Sequence, residues 1–171
     1  MNESTARKPA PILPDDNATL ARQLIADAGY AGLGTRLAAS HGDGVKHDWA
    51  GWPYTSLVQV ASDAAGFPIL LLSDLAEHSA NIAGNAQVSL LFDGTAGYED
   101  PLAGPRLTLL GHAATTADPA MRERFLARHP KASLYAGFKD FRFYRVTPLR
   151  AHLVAGFGRI QWIEKGELTS E

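Results

Sequence analysis

Ile69-Leu70-Leu71-Leu72 is an unbroken apolar run that leads without a linker into Ser73-Asp74-Leu75-Ala76-Glu77-His78-Ser79-Ala80-Asn81-Ile82. A short continuous apolar run beside turn residues reads as a strand buried on both faces, and the polar residues after it suit a helix start. Ser73 and Asp74 stand where a cap is wanted, because their side-chain oxygens can accept the first free backbone N–H groups. The helix start offers unpaired N–H groups and a positive dipole end. His78, Ser79 and Asn81 crowd its first two turns. Strand and helix together predict an anion pocket with a phosphate as guest. Read without a ligand, the same residues are a capped helix with solvated polar side chains.

The chain on either side repeats strand patterns far more often than helical ones. Pro53 to Ala61 reads as a strand with Leu57 and Val58 facing opposite ways, Asp63 to Gly66 as a turn, and Phe67 to Leu72 as the returning strand of a hairpin. Tyr30 to Thr35, Gln87 to Asp93, Arg106 to Ala113, Asp140 to Val146, Arg150 to Gly156 and Arg159 to Ile163 read as further strands. Thr147-Pro148 is expected to break the chain and Gly156-Phe157-Gly158 to bend it. Arg106 and Thr108 share one face of their strand. Helices are expected over Ala18 to Ala28, after Asp118-Pro119 as far as His129-Pro130, and briefly over Ala132 to Tyr135. The tally is six or seven antiparallel strands with two or three inserted helices and no strand–helix alternation. That predicts a mainly β fold closed into a small antiparallel barrel rather than a parallel sheet. A barrel of this size fills its interior with side chains, so a ligand belongs on its outside or at a subunit interface. Residues 1–14 read as a loose arm, 15–163 as one barrel domain and 164–171 as a polar tail.

Composition excludes several classes of function. The chain has 171 residues, of which 46% are hydrophobic and 20% charged, enough for one domain with a sizeable core. A net charge of −2 leaves no electrostatic footprint for nucleic acid or an anionic membrane. The absence of cysteine excludes disulfides, thiolate metal sites and a cysteine nucleophile, and fits a cytoplasmic protein. No apolar run approaches the roughly 20 residues of a membrane span. His41, Asp43, His47 and Asp48 match no metal-ligand spacing and read as a solvated hairpin tip, so no metal site is expected. No side chain stands out as a general acid or base.

Six segments together resemble a known family. They are Pro53-Tyr54-Thr55-Ser56-Leu57-Val58, Leu72 to Asn81, Pro105-Arg106-Leu107-Thr108-Leu109-Leu110-Gly111, His129-Pro130-Lys131-Ala132, Phe138-Lys139-Asp140-Phe141 and Gly156-Phe157-Gly158-Arg159. In this order and spacing they are similar to the pyridoxamine 5′-phosphate oxidase-like FMN-binding split barrels, nearest to the branch of HugZ/HutZ-type haem-utilisation proteins. The resemblance implies a split β-barrel, a homodimer, and FMN in clefts between subunits. It places Thr55 and Ser56 on the strand that meets the flavin, and Ser73, His78, Ser79 and Asn81 at the phosphate. Arg106 falls near a flavin-contacting glutamine, with Thr108 beside it.

The departures from the pattern select among activities. The oxidase branch has arginine and lysine where this chain has Thr55 and Val60. The haem branch commonly carries a C-terminal histidine ligand, and Glu164 to Glu171 has none; His129 and His152 remain as substitutes, and Asp140 lies in a segment near the haem pocket. The first expectation is therefore an FMN-dependent oxidoreductase acting on a small molecule. The alternatives are a haem-binding or haem-degrading protein and a cofactor-free dimeric regulatory barrel.

Overall fold

The computed structural model describes residues 12–40, 48–156 and 158–169. Of the expected hairpin-tip residues, His41, Asp43 and His47 lie outside these ranges, as does Phe157.

Helix α1 (Asn17–Asp27) starts where Asp16 accepts a hydrogen bond from the Thr19 N–H at 2.7 Å. Leu20 and Ile25 bury its apolar face against the barrel core. Strands β1 (Tyr30–Arg36) and β2 (Pro53–Gln59) pair antiparallel along their full length. After Val60, the two-residue β3 (Ala61–Ser62) pairs with β4 (Pro68–Ser73). Helix α2 (Glu77–Gly84) follows, then β5 (Gln87–Asp93) and β6 (Pro105–Thr116). Helix α3 (Pro119–Arg128) is capped by Asp118, whose carboxylate accepts from the Ala120 N–H at 2.9 Å. A 3-10 segment (Pro130–Leu134) leads to the long β7 (Phe141–Ala155), β8 (Ile160–Glu164) and α4 (Lys165–Leu168).

The sheet order is β2-β1-β5-β6-β7-β4-β3, with β8 on β7, and every pairing is antiparallel. The two ends of this path are consecutive in the chain, joined at Val60. The sheet therefore curls round on itself, and β2 faces β4 across a gap with no ladder between them. This is a split barrel of seven antiparallel runs if β2 and β3 are taken as one interrupted strand. Alternation follows the barrel wall: Leu107 and Leu109 are fully buried inside, while Arg106 and Thr108 face outward and are half-buried.

Two apolar clusters result. The inner one joins Leu33, Val58, Leu70, Leu90, Phe92, Leu107 and Leu153. The outer one packs Ile69 and Leu71 of β4 against Phe125 of α3 and Ala132. The run Ile69–Leu72 is thus buried on both faces, as its lack of alternation implied.

Three expectations are corrected. The hairpin of Pro53–Ala61 with Phe67–Leu72 reduces to the pairs Ala61–Ile69 and Ser62–Pro68, because β2 pairs with β1 and β4 pairs with β7. Thr147-Pro148 does not break the chain: β7 runs through it, and the register shifts between Leu110–Arg150 and Gly111–Pro148, leaving Leu149 as the extra residue of a bulge. The polar tail is partly folded, since α4 buries Leu168 to 1% exposure in the inner cluster. The expected bend after β7 is present, with Gly156 and Gly158 both at positive φ.

Candidate functional site

The turn between β4 and α2 is built differently from the expected helix cap. The N-cap of α2 is Ala76, with no side-chain cap bond. Ser73 instead accepts from the Leu75 N–H at 3.2 Å and donates its hydroxyl to Asp140 at 2.9 Å. Asp74 is clamped by Arg142, whose Nε lies 2.9 and 2.8 Å from the two carboxylate oxygens. The Asp74 N–H also donates to the Asp140 carbonyl at 2.5 Å. Ser73 and Asp74 thus tie this corner to the start of β7 rather than capping α2.

Ser79 and Asn81 prove to be structural. Ser79 is buried and donates to the Ser73 carbonyl at 2.7 Å. Asn81 is fully buried; its amide donates to Thr35 Oγ1 at 3.0 Å and its oxygen accepts from the Ala38 N–H at 2.8 Å. Neither side chain is free to meet a ligand within this chain. Asn81→Ala strands both partners and is expected to cost about 2–3 kcal/mol of unfolding free energy by urea denaturation. An unchanged midpoint would mean that Thr35 and Ala38 find other partners.

His78 lines a cleft and makes a contact across the split. Its Nδ1 lies 3.0 Å from Ser56 Oγ, which links α2 to β2 across the split. Burial lowers the pKa of the ring below the ordinary histidine value, so the neutral imidazole is favoured. Beside it a cleft of about 340 Å³ opens on the outside of the barrel between β2 and β4. Leu57, Leu71, Tyr135 and Phe141 form its apolar and aromatic walls, and Ser73, His78 and Gln59 supply polar atoms. The Tyr135 hydroxyl donates to Gln59 Oε1 at 2.9 Å and closes one end. The described lining residues include no lysine or arginine.

The other expected site residues lie elsewhere. Thr55 lines a separate cleft of about 450 Å³ with Arg36, Tyr54, Gln87 and His112. Arg106 donates to the carbonyls of Leu102 at 2.8 Å and Gly104 at 3.2 Å, holding the loop before β6. Thr108 sits three strands from Leu57 in the outward row Leu57–Gly32–Leu91–Thr108–His152–Trp162. At the usual strand spacing that is about 14 Å. Within one chain the structure therefore brings together Ser56, Ser73 and His78, and separates Arg106 and Thr108 from them. Gln59 and Tyr135 were missed by the sequence reading; they are 76 positions apart, and neither carries a local signal of the contact.

A metal cluster is absent among the described residues, where no group of three or more His, Asp or Glu side chains converges. Nor does any described helix have the length and apolarity to cross a membrane.

The fold and cleft define a split barrel with an outward-facing cleft at the split. The chain belongs to the CREG β-barrel family, whose model matches residues 13–170. A sequence relative is the non-canonical heme oxygenase HOZ, chloroplastic, of Arabidopsis thaliana, 36% identical over 126 residues. That match covers 72% of this chain but only 38% of the relative, so the chain spans about two fifths of its length. A solved structure of a heme binding protein from Mycobacterium smegmatis superposes with a TM-score of 0.78 at 26% identity, covering 92% of this chain and 61% of the other. A putative pyridoxamine 5′-phosphate oxidase from Listeria innocua shares the fold, with a TM-score of 0.58 at 14% identity over 82% of this chain and all of its own. The resemblance read from the six segments therefore holds for the split barrel, and the similar proteins include ones named for haem.

Proposed function

We propose that this chain binds haem in the cleft between β2 and β4 and serves in haem handling, including breakdown of the macrocycle. The observation that carries the reading is the chemistry of the cleft lining. Leu57, Leu71, Tyr135 and Phe141 offer an apolar, aromatic bed, and His78 offers a nitrogen kept neutral by burial. An apolar bed with one neutral nitrogen donor suits a flat hydrophobic macrocycle with a central iron. Bound haem would supply an iron centre for one-electron and oxygen chemistry. The residues of this chain would seat one edge of the macrocycle, hold the donor nitrogen and keep water from that edge. The 36% identity to a haem oxygenase and 26% to a heme binding protein point the same way.

FMN is the second reading, and the shared fold with a putative pyridoxamine 5′-phosphate oxidase keeps it in play. It fits the cleft less well. A phosphate dianion asks for cations or several free donors. Here Arg142 is occupied by Asp74, Ser79 and Asn81 are committed within the chain, and burial disfavours the protonated form of His78. A homodimer belongs to the proposal. The macrocycle would extend past a cleft of this size, and Leu57, Leu91 and Trp162 leave an apolar outward row for a second copy to cover.

The test is a pair of titrations on protein purified without added cofactor. Hemin is expected to give a saturating Soret band that survives gel filtration, whereas FMN fluorescence is expected to show no saturable quenching. Saturable FMN binding without a Soret band would replace the haem reading with the flavin one. Neither signal would leave only the cofactor-free barrel.

A further inference from the structure

We infer that His78 is the iron ligand of the bound haem, through Nε2, and that Ser56 positions its ring. This deepens the haem reading above and rests on it. The described residues contain four histidines, and their surroundings separate them. His129 is buried, with its Nε2 2.8 Å from the Val60 carbonyl and its ring packed on Phe125, 4.9 Å between centroids. Its nitrogen is held by backbone. His152 lies on the outward sheet face against Trp162, 4.8 Å between centroids, on the half of β7 that pairs with β6 and β8 rather than with β4. His112 is exposed near the far end of β6, in the cleft that holds Arg36 and Tyr54. His78 alone among them lines the apolar cleft between β2 and β4.

Its hydrogen bond completes the geometry of a ligand. A histidine that binds metal through one nitrogen commonly donates from the other, which fixes the tautomer and the ring plane and raises the basicity of the ligating nitrogen. The Ser56 hydroxyl lies 3.0 Å from Nδ1 and can accept its proton. In that tautomer the lone pair is on Nε2. Ser56 and His78 are also held by different elements, β2 and α2, so the ring is fixed from both sides of the split. The contact thus has the form of a ligand and its orienting partner, formed before any iron arrives. Ser56 is a positioning residue: it acts on the iron only through the ring.

The experiment compares the unsubstituted protein with His78→Ala, His78→Gln and Ser56→Ala, each first checked for folding by circular dichroism and thermal unfolding. Hemin complexes are read by Soret position, and the reduced complexes by the iron–histidine stretch in resonance Raman. The unsubstituted protein is expected to show a histidine-ligated haem. Both His78 variants are expected to lose the iron–histidine stretch, and free imidazole to restore ligation. Ser56→Ala is expected to keep the ligand, lower the stretching frequency and weaken hemin binding about tenfold. His152→Ala and His112→Ala are expected to leave the spectrum unchanged. A folded His78 variant that retains the original stretch would overturn the assignment and leave haem binding intact. An unchanged stretching frequency in Ser56→Ala would remove the positioning role. Failure of the unsubstituted protein to take up hemin would instead overturn the haem reading itself.

Discussion

Leu168→Ala is expected to lower the unfolding free energy by about 2–4 kcal/mol, read from the urea midpoint with an unchanged slope. The residue is the single apolar side chain in the polar stretch Glu164 to Glu171, and substitutions at exposed positions of such a stretch ordinarily cost little. Here the side chain is 1% exposed and belongs to the inner cluster. Two sets of bonds fix it. The Glu164 N–H donates to Glu167 Oε2 at 3.0 Å in a capping box, and Arg22 of α1 donates to the Glu167 carbonyl at 2.6 Å. The helix is a single turn and could not persist alone in water. Its order therefore comes from burying Leu168, and truncating that side chain removes both the burial and the reason for the turn. Lys165→Ala, on the same turn but exposed, is expected to cost less than about 0.5 kcal/mol. Equal effects from the two would mean that α4 contributes nothing to the fold.

What the sequence reveals of this molecule follows the range of the interactions. Strand identity is carried by local pattern, so Gln87–Asp93 is found with its bounds unchanged and β6 with its outward Arg106 and Thr108. Helix starts whose caps lie within three residues, Asp16 and Asp118, are equally legible. Pairing is not local. Val60 interrupts the expected hairpin because β2 finds β1 first, and nothing between Pro53 and Leu72 announces that choice. The single apolar residue of the last segment, Leu168, is too isolated to signal a helix, although it decides whether that segment packs.

The candidate site divides the same way. His78 and Ser73 are recognisable as polar residues following a buried strand, and both line the cleft. Their roles are set by partners far along the chain: Asp140 for Ser73, Ser56 for His78, and Thr35 for Asn81. A residue with oxygen or nitrogen atoms looks available in sequence until its partner is known. Asn81 is the clearest example, since the amide that suits a phosphate is the same amide that holds Thr35 and Ala38. Burial also reverses the expected electrostatics, because a histidine read as an anion contact is held toward its neutral form.

Gly111→Ala is expected to destabilise the protein by about 1–3 kcal/mol, the usual cost of overpacking a fitted interior. A Cβ at this position would stand 2.6 Å from the Thr147 carbonyl oxygen, a backbone atom that cannot swing aside. The close approach comes from the bulge, which passes Pro148 through the middle of β7. Proline has no N–H to give to the ladder, so its neighbours shift register and Leu149 is extruded to 56% exposure. The strand opposite must then come in tight at Gly111. Gly137→Ala is the matched control: nothing lies within 4 Å of its added Cβ, and its cost is expected to stay below about 0.5 kcal/mol. The bulge explanation further predicts that Pro148→Ala relieves part of the Gly111→Ala penalty, because an alanine at 148 lets this part of β7 move away from β6. A double-mutant cycle measures that relief directly. Additive effects at the two positions would mean that the proline and the glycine are not one device, and that β7 holds its bulge for another reason.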